Sequence, residues 1–383
     1  MELAERLNKF PRYFFAELDK KIADVKNAGK DIIDLGVGDP DIPTPEHIVE
    51  ACCKAAKKSE NHRYPTYGGM LSFRKAVAER YKKDFKLEFD PESEVITLIG
   101  SKEGIYNINF AFVDSGDAVL YPNPGYPVYR VGAIFAGGEA VPIPLQKDND
   151  FLPDLEAVPA EEARRAKMLW VNYPNNPTAA VADKDFYKSV VDFASDNDIV
   201  VCSDEAYSSI AFDSPSPCFL EVKGARDVGI VFNSLSKTYN MTGWRLAYAV
   251  GNEDIIGALG KVKTNVDSGV SQIIQEAGIV ALTSSQKCVS DNIKIYRKRR
   301  DVLVSGFRDL GVECEMPKAT FYVWVEVPDG DSMAFAGMLL EKCSIVCAPG
   351  IGFGSIGEGF ARFALTQPVS RIKEALERME KAF

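Results

Sequence analysis

The sequence predicts an α/β protein with a three-layer α/β/α large domain, whose sheet is mostly parallel, and a second, smaller α/β domain. Three observations support this fold class. The chain has 383 residues, enough for two or three domains and a large core. Hydrophobic residues make up 46% of it, as in ordinary globular proteins. Short apolar, β-branched runs alternate with helical stretches from residue 95 to residue 250, a pattern typical of buried parallel strands connected by helices.

Two features precede this alternating region. Residues 2–28 are predicted to form an amphipathic helix with a break at Pro11. The Gly- and Pro-rich passage Gly36–Pro45 then leads to a predicted helix at about 46–58. Charged residues are spread through the first 30 positions, so we do not expect a secretory signal there.

The alternating region supplies the strands of the predicted sheet. The strand candidates are Val95–Ile99, Ala118–Tyr121, Lys167–Val171, Ile199–Ser203, Val228–Phe232 and Leu246–Val250. Helices are predicted between them at 102–112, 126–135 and 183–197. Because the strands are apolar along almost their whole length, we expect helices to cover both faces of the sheet.

The C-terminal part is predicted to contain a long helical region, at about 252–308, followed by a smaller α/β unit. Strands of this unit are expected near Phe321–Val325 and Phe360–Leu365. The predicted organisation has three parts: an N-terminal arm with part of the small domain at 1–45, a large domain at 46–284 and a C-terminal small domain at 285–383.

Composition and charge exclude several classes of function. The net charge of −10, without a basic stripe, argues against binding to nucleic acid, and no apolar run is long enough to span a membrane. The chain has two histidines, which leaves little material for His-based metal sites or Ser-His-Asp triads. Its eight cysteines form no Cys-x-x-Cys motif and are expected to be reduced thiols. We therefore expect a cytoplasmic protein without a metal, whose chemistry uses Lys, Asp, Tyr and Arg.

The segment Asn233-Ser-Leu-Ser-Lys-Thr-Tyr-Asn-Met-Thr-Gly-Trp-Arg245 is the most informative of the chain. It places Lys237 between two small hydroxyl residues, shortly after a predicted buried strand. Poor solvation there lowers the pKa of the amine and favours covalent reactions with carbonyl groups. Ser234, Ser236 and Arg245 can bind a phosphate beside it, so the segment suits pyridoxal phosphate (PLP). The alternative is a solvent-facing lysine in a polar loop.

A carboxylate follows another strand of the predicted sheet. Asp204, in Ser203-Asp-Glu-Ala-Tyr207, comes after a strongly apolar strand, where parallel sheets place ligand-binding groups. Buried there, it could pair with a protonated pyridine nitrogen, and Tyr207 could donate to the phenolic oxygen of the ring. The alternative for Asp204 is a helix N-cap.

Three further motifs suit the same cofactor. Asn176, in Asn172-Tyr-Pro-Asn-Asn-Pro-Thr178, offers an amide NH to the ring oxygen or to a substrate carboxylate. Gly100-Ser-Lys102 follows the first strand and could bind a phosphate, and Tyr126 could stack on the ring. Separately, these segments could be a proline-rich turn and an aromatic packing residue. Together with Lys237 and Asp204, they occur in the right order along an α/β sheet.

These motifs resemble those of the fold-type I, PLP-dependent aminotransferases of the aspartate aminotransferase superfamily (class I and II). The resemblance covers almost the whole chain. It implies that Lys237 is the Schiff-base lysine, that Asp204 pairs with the pyridine nitrogen, and that Tyr207 and Asn176 hold the ring oxygen. The residues that it assigns to the cofactor phosphate are Ser101, Lys102, Ser234, Ser236 and Arg245.

The resemblance also implies the substrate contacts. Arg362, in Ala361-Arg-Phe-Ala-Leu365, matches the arginine that binds the substrate α-carboxylate, and Gly38 matches the glycine whose backbone touches it. Tyr64 matches the tyrosine that reaches the phosphate of the neighbouring subunit, although Tyr67 in the same loop could take this role instead. The expected assembly is a homodimer with shared active sites, acting on amino acids and 2-oxo acids.

Within the superfamily, the sequence is most similar to the LL-diaminopimelate aminotransferases. Segments that carry this likeness include Gly36–Pro45, Ser101-Lys-Glu-Gly104 and Lys318-Ala-Thr-Phe-Tyr-Val-Trp324. The chain departs from the pattern at two places. Ala179 replaces the glycine that usually closes the Asn-Pro-Thr-Gly turn, and the loop Thr66–Gly69 lacks the acid suited to a distal substrate ammonium.

The implied reaction is transfer of an amino group from LL-diaminopimelate to 2-oxoglutarate. Two alternatives stay open at this point. One is an aminotransferase of the same family for aspartate, alanine or aromatic donors. The other is a PLP-dependent C–S β-lyase, since a fold can host more than one PLP reaction.

Overall fold

The structure is a computed structural model that describes residues 2–9, 16–27 and 29–382. Its strands are β1 (Ile33–Asp34), β2 (Val95–Leu98), β3 (Ala118–Asn123), β4 (Glu139–Pro144), β5 (Ala166–Asn172), β6 (Val200–Asp204), β7 (Gly229–Ser234), β8 (Ala247–Gly251), β9 (Tyr322–Glu326), β10 (Ile345–Val346), β11 (Ala348–Pro349) and β12 (Phe360–Ala364). Its α-helices are α1 (Ala16–Asn27), α2 (Glu46–Ala55), α3 (Leu71–Phe85), α4 (Ser101–Asn107), α5 (Asn109–Phe112), α6 (Val128–Ala136), α7 (Ala160–Arg165), α8 (Lys184–Asn197), α9 (Ala225–Val228), α10 (Leu235–Thr238), α11 (Glu253–Val266), α12 (Gln272–Thr283), α13 (Lys287–Asp309), α14 (Ser332–Met338) and α15 (Val369–Glu380).

The large sheet has seven strands in the order β2-β8-β7-β6-β5-β3-β4. Strand β8 runs antiparallel to both of its neighbours, and the other pairs are parallel, so the predicted mostly parallel sheet is confirmed. The sequence analysis missed β4. This strand lies at the edge of the sheet and is largely accessible to solvent, and its two prolines argue in sequence against a strand.

Helices cover both faces of this sheet. Side chains of β5 alternate between two cores, with Leu169 and Val171 in one and Met168 and Trp170 in the other. Helices α2, α3, α8 and α12 contribute to the first core, and α4, α6 and α11 contribute to the second. The expected three-layer α/β/α arrangement is therefore present.

The helical predictions need some corrections. The helix expected at 102–112 is interrupted at Ile108 between α4 and α5, and the region 252–308 is divided into α11, α12 and α13. Within residues 2–28, a 3-10 helix spans Glu5–Lys9 and α1 begins at Ala16, while the predicted break at Pro11 lies outside the described residues. No helix in the described part of the chain is long and apolar enough to cross a membrane.

A smaller α/β unit joins the two ends of the chain. Strands β11, β12 and β9 form an antiparallel sheet, and β1 pairs in parallel with β10. A separate core contains Ile33 from the N-terminal segment together with Phe321 and Leu303. Helix α13 reaches both units, because its Val289 packs in the core of the large sheet and its Leu303 in this one. The domain boundaries at 45 and 284 stay a prediction.

Asp41 and Arg299 form an ion pair. It attaches the segment before α2 to helix α13. The guanidinium of Arg299, 5% exposed, donates to both carboxylate oxygens of Asp41 at 2.6 and 2.7 Å. It also donates to the carbonyl of Leu365 at 2.8 Å. Bidentate geometry and burial of the arginine make this pair stronger than an exposed one.

We expect Asp41→Asn to lower the free energy of unfolding by about 1–3 kcal/mol, below the range for fully buried pairs because the Asp41 side chain is 31% exposed. The control is Asp213→Asn, which breaks a single 3.0 Å contact to Arg297 on the same helix, with both side chains exposed. This control should change little. Urea denaturation measures both variants. Equal effects would contradict the importance assigned to the Asp41–Arg299 pair.

Candidate active site

One cavity of about 720 Å³ brings the candidate residues together. It lies at the carboxyl ends of the parallel strands, where Asp204 ends β6 and Ser234 ends β7. All of the candidates except Tyr64 line it: Gly38, Ser101, Lys102, Tyr126, Asn176, Asp204, Tyr207, Ser234, Ser236, Lys237, Arg245 and Arg362. A larger cleft, of about 1300 Å³, lies elsewhere and contains none of them.

Lys237 lies in the one-turn helix α10, directly after β7. Its Nζ donates a hydrogen bond to the carbonyl of Gly38 at 2.6 Å. Burial lowers the pKa of this amine to about 8, and the charges of Arg362 and Arg245 lower it further, whereas Asp39 opposes the shift. The amine is therefore neutral, and nucleophilic, in a larger fraction of molecules near neutral pH than an ordinary lysine would be.

Asp204 is a buried carboxylate, 5% exposed. Its Oδ2 accepts a hydrogen bond from the Tyr129 hydroxyl at 2.8 Å, and its Oδ1 accepts one from the amide of Ala206 at 3.2 Å. Burial raises the pKa of Asp204 to about 6, although both hydrogen bonds act to lower it. Since both of these donors are neutral, the carboxylate suits a cationic N–H partner bound in the cavity.

Arg362, on β12, is held in place by neutral groups. Its Nη1 donates to the side-chain oxygen of Asn176 at 2.7 Å, and its Nη2 donates to the carbonyl of Gly36 at 2.7 Å. The guanidinium also lies over the rings of Tyr322 and Phe353, at 4.1 and 4.7 Å from their centroids. These contacts orient the arginine and leave its charge for an anionic ligand.

Tyr322 connects two parts of the cavity wall, Tyr207 and Gly38. Its hydroxyl lies 2.9 Å from that of Tyr207. A Cβ built on Gly38 would lie 2.0 Å from the same hydroxyl, so residue 38 must be glycine for the two groups to approach this closely. The resemblance implied contact of Gly38 with substrate, and the structure adds Tyr322 as the reason why no side chain fits there.

A second end of the cavity collects donors suited to an anion. Ser101 begins α4 directly after Gly100, which has a positive φ of 74°. A Cβ on Gly100 would lie 2.2 Å from Nη2 of Arg245, so the guanidinium packs against this turn. The Ser234 hydroxyl accepts a hydrogen bond from the amide of Ser236 at 3.1 Å, which keeps its proton available to a ligand. Two hydroxyl-bearing turns and a guanidinium therefore face the same space.

The loop that carries Tyr64 does not reach this cavity within the chain. Tyr64 is 88% exposed and Tyr67 is 50% exposed. Neither ring contributes to the cavity lining. Their predicted contact with a neighbouring subunit stays a prediction.

The departure at Ala179 does not remove the turn in which it occurs. Ala179 adopts a left-handed φ of 62°, the conformation that glycine would favour. Its amide donates to the carbonyl of Asn175 at 3.0 Å, and the amide of Asn175 donates to Ala180 at 2.9 Å. The turn therefore closes with alanine, at the cost of some backbone strain.

Sequence reasoning missed Tyr129, Tyr322 and Asn172 as parts of the site. Asn172 lies in the motif Asn172–Thr178, and its role is visible only in the structure. Its Nδ2 donates to the carbonyl of Asp204 at 2.7 Å, and its Oδ1 accepts from the amide of Asn176 at 2.9 Å. The available signal was its position directly after the predicted buried strand Lys167–Val171. Tyr129 lies within a helix and Tyr322 within a strand, and although Tyr322 belongs to the segment Lys318–Trp324, the local sequence of each is that of a core tyrosine.

Comparisons with known proteins identify the family of this chain. The family described as "Aminotransferase class I and II" matches residues 30–379. An LL-diaminopimelate aminotransferase of Moorella thermoacetica is 51% identical over 383 residues, which is 100% of this chain and 98% of the relative. One of Desulforudis audaxviator is 54% identical over 378 residues, covering 98% of this chain and 96% of the relative.

Solved structures show the same fold. The substrate-bound BacF structure from Bacillus subtilis superposes with a TM-score of 0.95 at 37% identity, covering 100% of this chain and 98% of that one. An aspartate aminotransferase from Thermotoga maritima has a TM-score of 0.93 at 29% identity, covering 99% of both chains. The chain therefore belongs to the class I and II aminotransferases and is a transaminase.

The hydrogen bond between Tyr129 and Asp204 leads to a prediction about the carboxylate. Tyr129→Phe should raise the pKa of Asp204 above about 6. Burial raises this pKa, and the hydrogen bond from the Tyr129 hydroxyl lowers it by stabilising the ionised carboxylate, so loss of the hydroxyl removes an opposing effect. Infrared titration of ¹³C-aspartate-labelled protein, with Asp204→Asn subtracted, measures this pKa.

The matched control is Tyr173→Phe. Tyr173 is also buried, but its hydroxyl donates to the carbonyl of Phe151 and not to a carboxylate. The pKa of Asp204 should be the same in this variant as in the wild type. An unchanged pKa in Tyr129→Phe would show that this hydrogen bond does not stabilise the ionised form.

Proposed function

We propose that this transaminase is an LL-diaminopimelate aminotransferase that uses PLP as its cofactor and 2-oxoglutarate as its amino acceptor. One observation carries the cofactor assignment: a single cavity contains a buried amine with a lowered pKa, a buried carboxylate and an anion-binding end. For the donor, the support is the 51–54% identity to relatives with this name over nearly the whole chain.

The residues present fit PLP. Asp204 is a buried carboxylate with two neutral donors, and it would accept a hydrogen bond from the pyridine N–H. Lys237 would react with the aldehyde. Tyr207 and the NH₂ group of Asn176 suit the ring oxygen, because Arg362 engages only the oxygen of that amide. Tyr126 lines the cavity and suits the ring face. The phosphate would be held by Ser101, Lys102, Ser234, Ser236 and Arg245.

The chemistry divides between cofactor and protein. Bound PLP supplies an electron sink for negative charge at the substrate Cα. Lys237 Nζ takes the proton from Cα and later returns a proton, as a general base and then a general acid. A pKa of about 8 suits both directions of this transfer near neutral pH. Asp204, ionised above its pKa of about 6, keeps the pyridine nitrogen protonated.

Substrate binding uses groups at the opposite end of the cavity. Arg362 would bind the α-carboxylate through its guanidinium, beside the backbone of Gly38. Two carboxylates, Asp34 and Asp39, also line the cavity. One oxygen of Asp34 accepts from the amides of Gly36 and Val37, at 2.9 and 3.2 Å. Asp39 follows Gly38 directly, so it could serve a distal ammonium in place of the acid that the loop lacks.

The proposal includes a cytoplasmic homodimer with shared active sites. Tyr64, or Tyr67 in its place, would reach the phosphate bound by the neighbouring subunit. The 88% exposure of Tyr64 supports this role, because a large aromatic side chain on a surface is typical of an interface.

A second candidate is a transaminase for aspartate or aromatic donors. The missing acid in Thr66–Gly69 favours it, as does the 29% identity to an aspartate aminotransferase with the same fold. The two candidates share the whole mechanism and differ only in the donor.

Donor specificity is the direct test. Protein reconstituted with PLP should show conversion of the cofactor absorbance to that of pyridoxamine phosphate with LL-diaminopimelate and with glutamate, and not with aspartate, alanine or phenylalanine. Lys237→Ala is the control and should show no conversion with any donor. If LL-diaminopimelate is inert while another of these donors reacts, the second candidate is correct. Without PLP binding by the wild type, the cofactor assignment is wrong.

Arg362→Lys should raise KM for every amino donor about tenfold or more, since a lysine cannot replace a bidentate, charge-assisted contact worth about 1.5–3 kcal/mol. Steady-state kinetics with LL-diaminopimelate and glutamate measure this change. The control is Arg371→Lys, an arginine outside the cavity that pairs with Asp31. A KM unaltered in both variants would mean that another residue binds the α-carboxylate.

A further inference from the structure

Lys263, on α11, is completely buried outside the active-site cavity. Its Nζ lies 3.3 Å from Oε2 of Glu103, and 3.0 and 2.8 Å from the two carboxylate oxygens of Asp267. One cation thus stands between two carboxylates that are themselves mostly buried, with side-chain exposures of 16% each. A charged side chain this deeply buried persists only when its partners are fixed.

Glu103 connects this lysine to the anion-binding end of the cavity. Its Oε2 accepts a hydrogen bond from the amide of Ile99 at 3.0 Å, and its Oε1 accepts one from the Asn107 side chain at 2.5 Å. The carboxylate therefore holds the residue just before Gly100 and the last residue of α4. Between these anchors lie Ser101 and Lys102, both in the cavity wall.

Asp267 connects the same lysine to the loop that carries Tyr64. Its Oδ1 accepts a hydrogen bond from the amide of Gly269 at 2.6 Å. A Cβ on Gly269 would lie 2.7 Å from the carbonyl of Thr66, so this glycine packs directly on the backbone of the 63–69 loop. The loop also contacts β2, where the amide of Thr97 donates to the carbonyl of Gly68 at 3.0 Å.

We propose that Lys263 is a positioning residue for cofactor binding, which through Glu103 fixes the Ser101–Lys102 turn and through Asp267 fixes the 63–69 loop. This inference rests on the proposed PLP function. The lysine itself does not line the cavity. Removing its charge leaves two carboxylates facing each other in a poorly solvated space. Their repulsion would displace both attached segments.

The experiment compares Lys263→Met with Arg300→Met. Arg300 is also a buried cation, 6% exposed, but it binds the carbonyl of Pro317 away from the cavity. We expect Lys263→Met to raise the Kd for PLP about tenfold, within the range usual for coupling between separate sites. Arg300→Met should leave this Kd unchanged even if it lowers Tm as much. Titration of the cofactor-free proteins with PLP, followed by absorbance, measures the Kd.

Hydrogen–deuterium exchange of the cofactor-free proteins gives a second measurement. Peptides that cover 63–69 and 99–107 should exchange faster in Lys263→Met than in the wild type or in Arg300→Met. Glu103→Gln, which keeps the side-chain volume and leaves Lys263 paired with Asp267, should weaken PLP binding in the same direction by a smaller factor. If Lys263→Met does not fold, Glu103→Gln still tests whether the Glu103 carboxylate positions the Ser101–Lys102 turn.

The outcomes separate this inference from the proposed function. Wild-type protein that fails to bind PLP overturns the cofactor assignment itself. If the wild type binds PLP and Lys263→Met and Glu103→Gln bind it equally well, the positioning role is wrong. An equal loss of affinity in Arg300→Met would also overturn it, because the effect would then follow from stability alone.

Discussion

The parallel pairing of β5, β6 and β7 is the constraint on which the site depends. The register places Asn172 opposite Asp204, so the last residues of β5 and β6 are neighbours. Ser234 ends β7 at the same edge, and Lys237 follows within one helical turn. Because these strands run in one direction, their carboxyl ends lie at the same edge of the sheet. The polar side chains that follow the strands are therefore brought together in one cavity.

Burial then determines what these groups can do. The same desolvation lowers the pKa of the Lys237 amine and raises that of the Asp204 carboxyl, so each is moved toward neutrality. The structure limits these shifts selectively: a tyrosine hydroxyl and an amide stabilise the Asp204 anion, and Asp39 stabilises the protonated lysine. The Lys237 amine and the Asp204 carboxyl are therefore both able to titrate between about pH 6 and pH 8.

Much of this could be predicted from the sequence because the strands and strand-end motifs carry strong local signals. Asp204, Lys237 and Asn176 each follow an apolar run, and the fold class follows from the same runs. Strand β4 was missed because its two prolines, Pro142 and Pro144, argue in sequence against a strand, and such residues are tolerated only at a sheet edge. Tyr129 and Tyr322 were missed for a different reason. Their roles arise from tertiary contacts, and a tyrosine bound to a carboxylate looks in sequence like any core tyrosine.

The charge of the cavity differs in sign from that of the whole protein. The chain carries a net charge of −10, which would disfavour anionic substrates and a phosphate-bearing cofactor. The cavity wall reverses this balance, since it combines three carboxylates, Asp34, Asp39 and Asp204, with five basic residues, Lys26, Lys102, Lys237, Arg245 and Arg362. Fields inside a cleft with low-dielectric walls are governed by these nearby charges more than by distant ones. Acidic residues elsewhere on the protein therefore need not oppose the binding of an anionic ligand in this cavity.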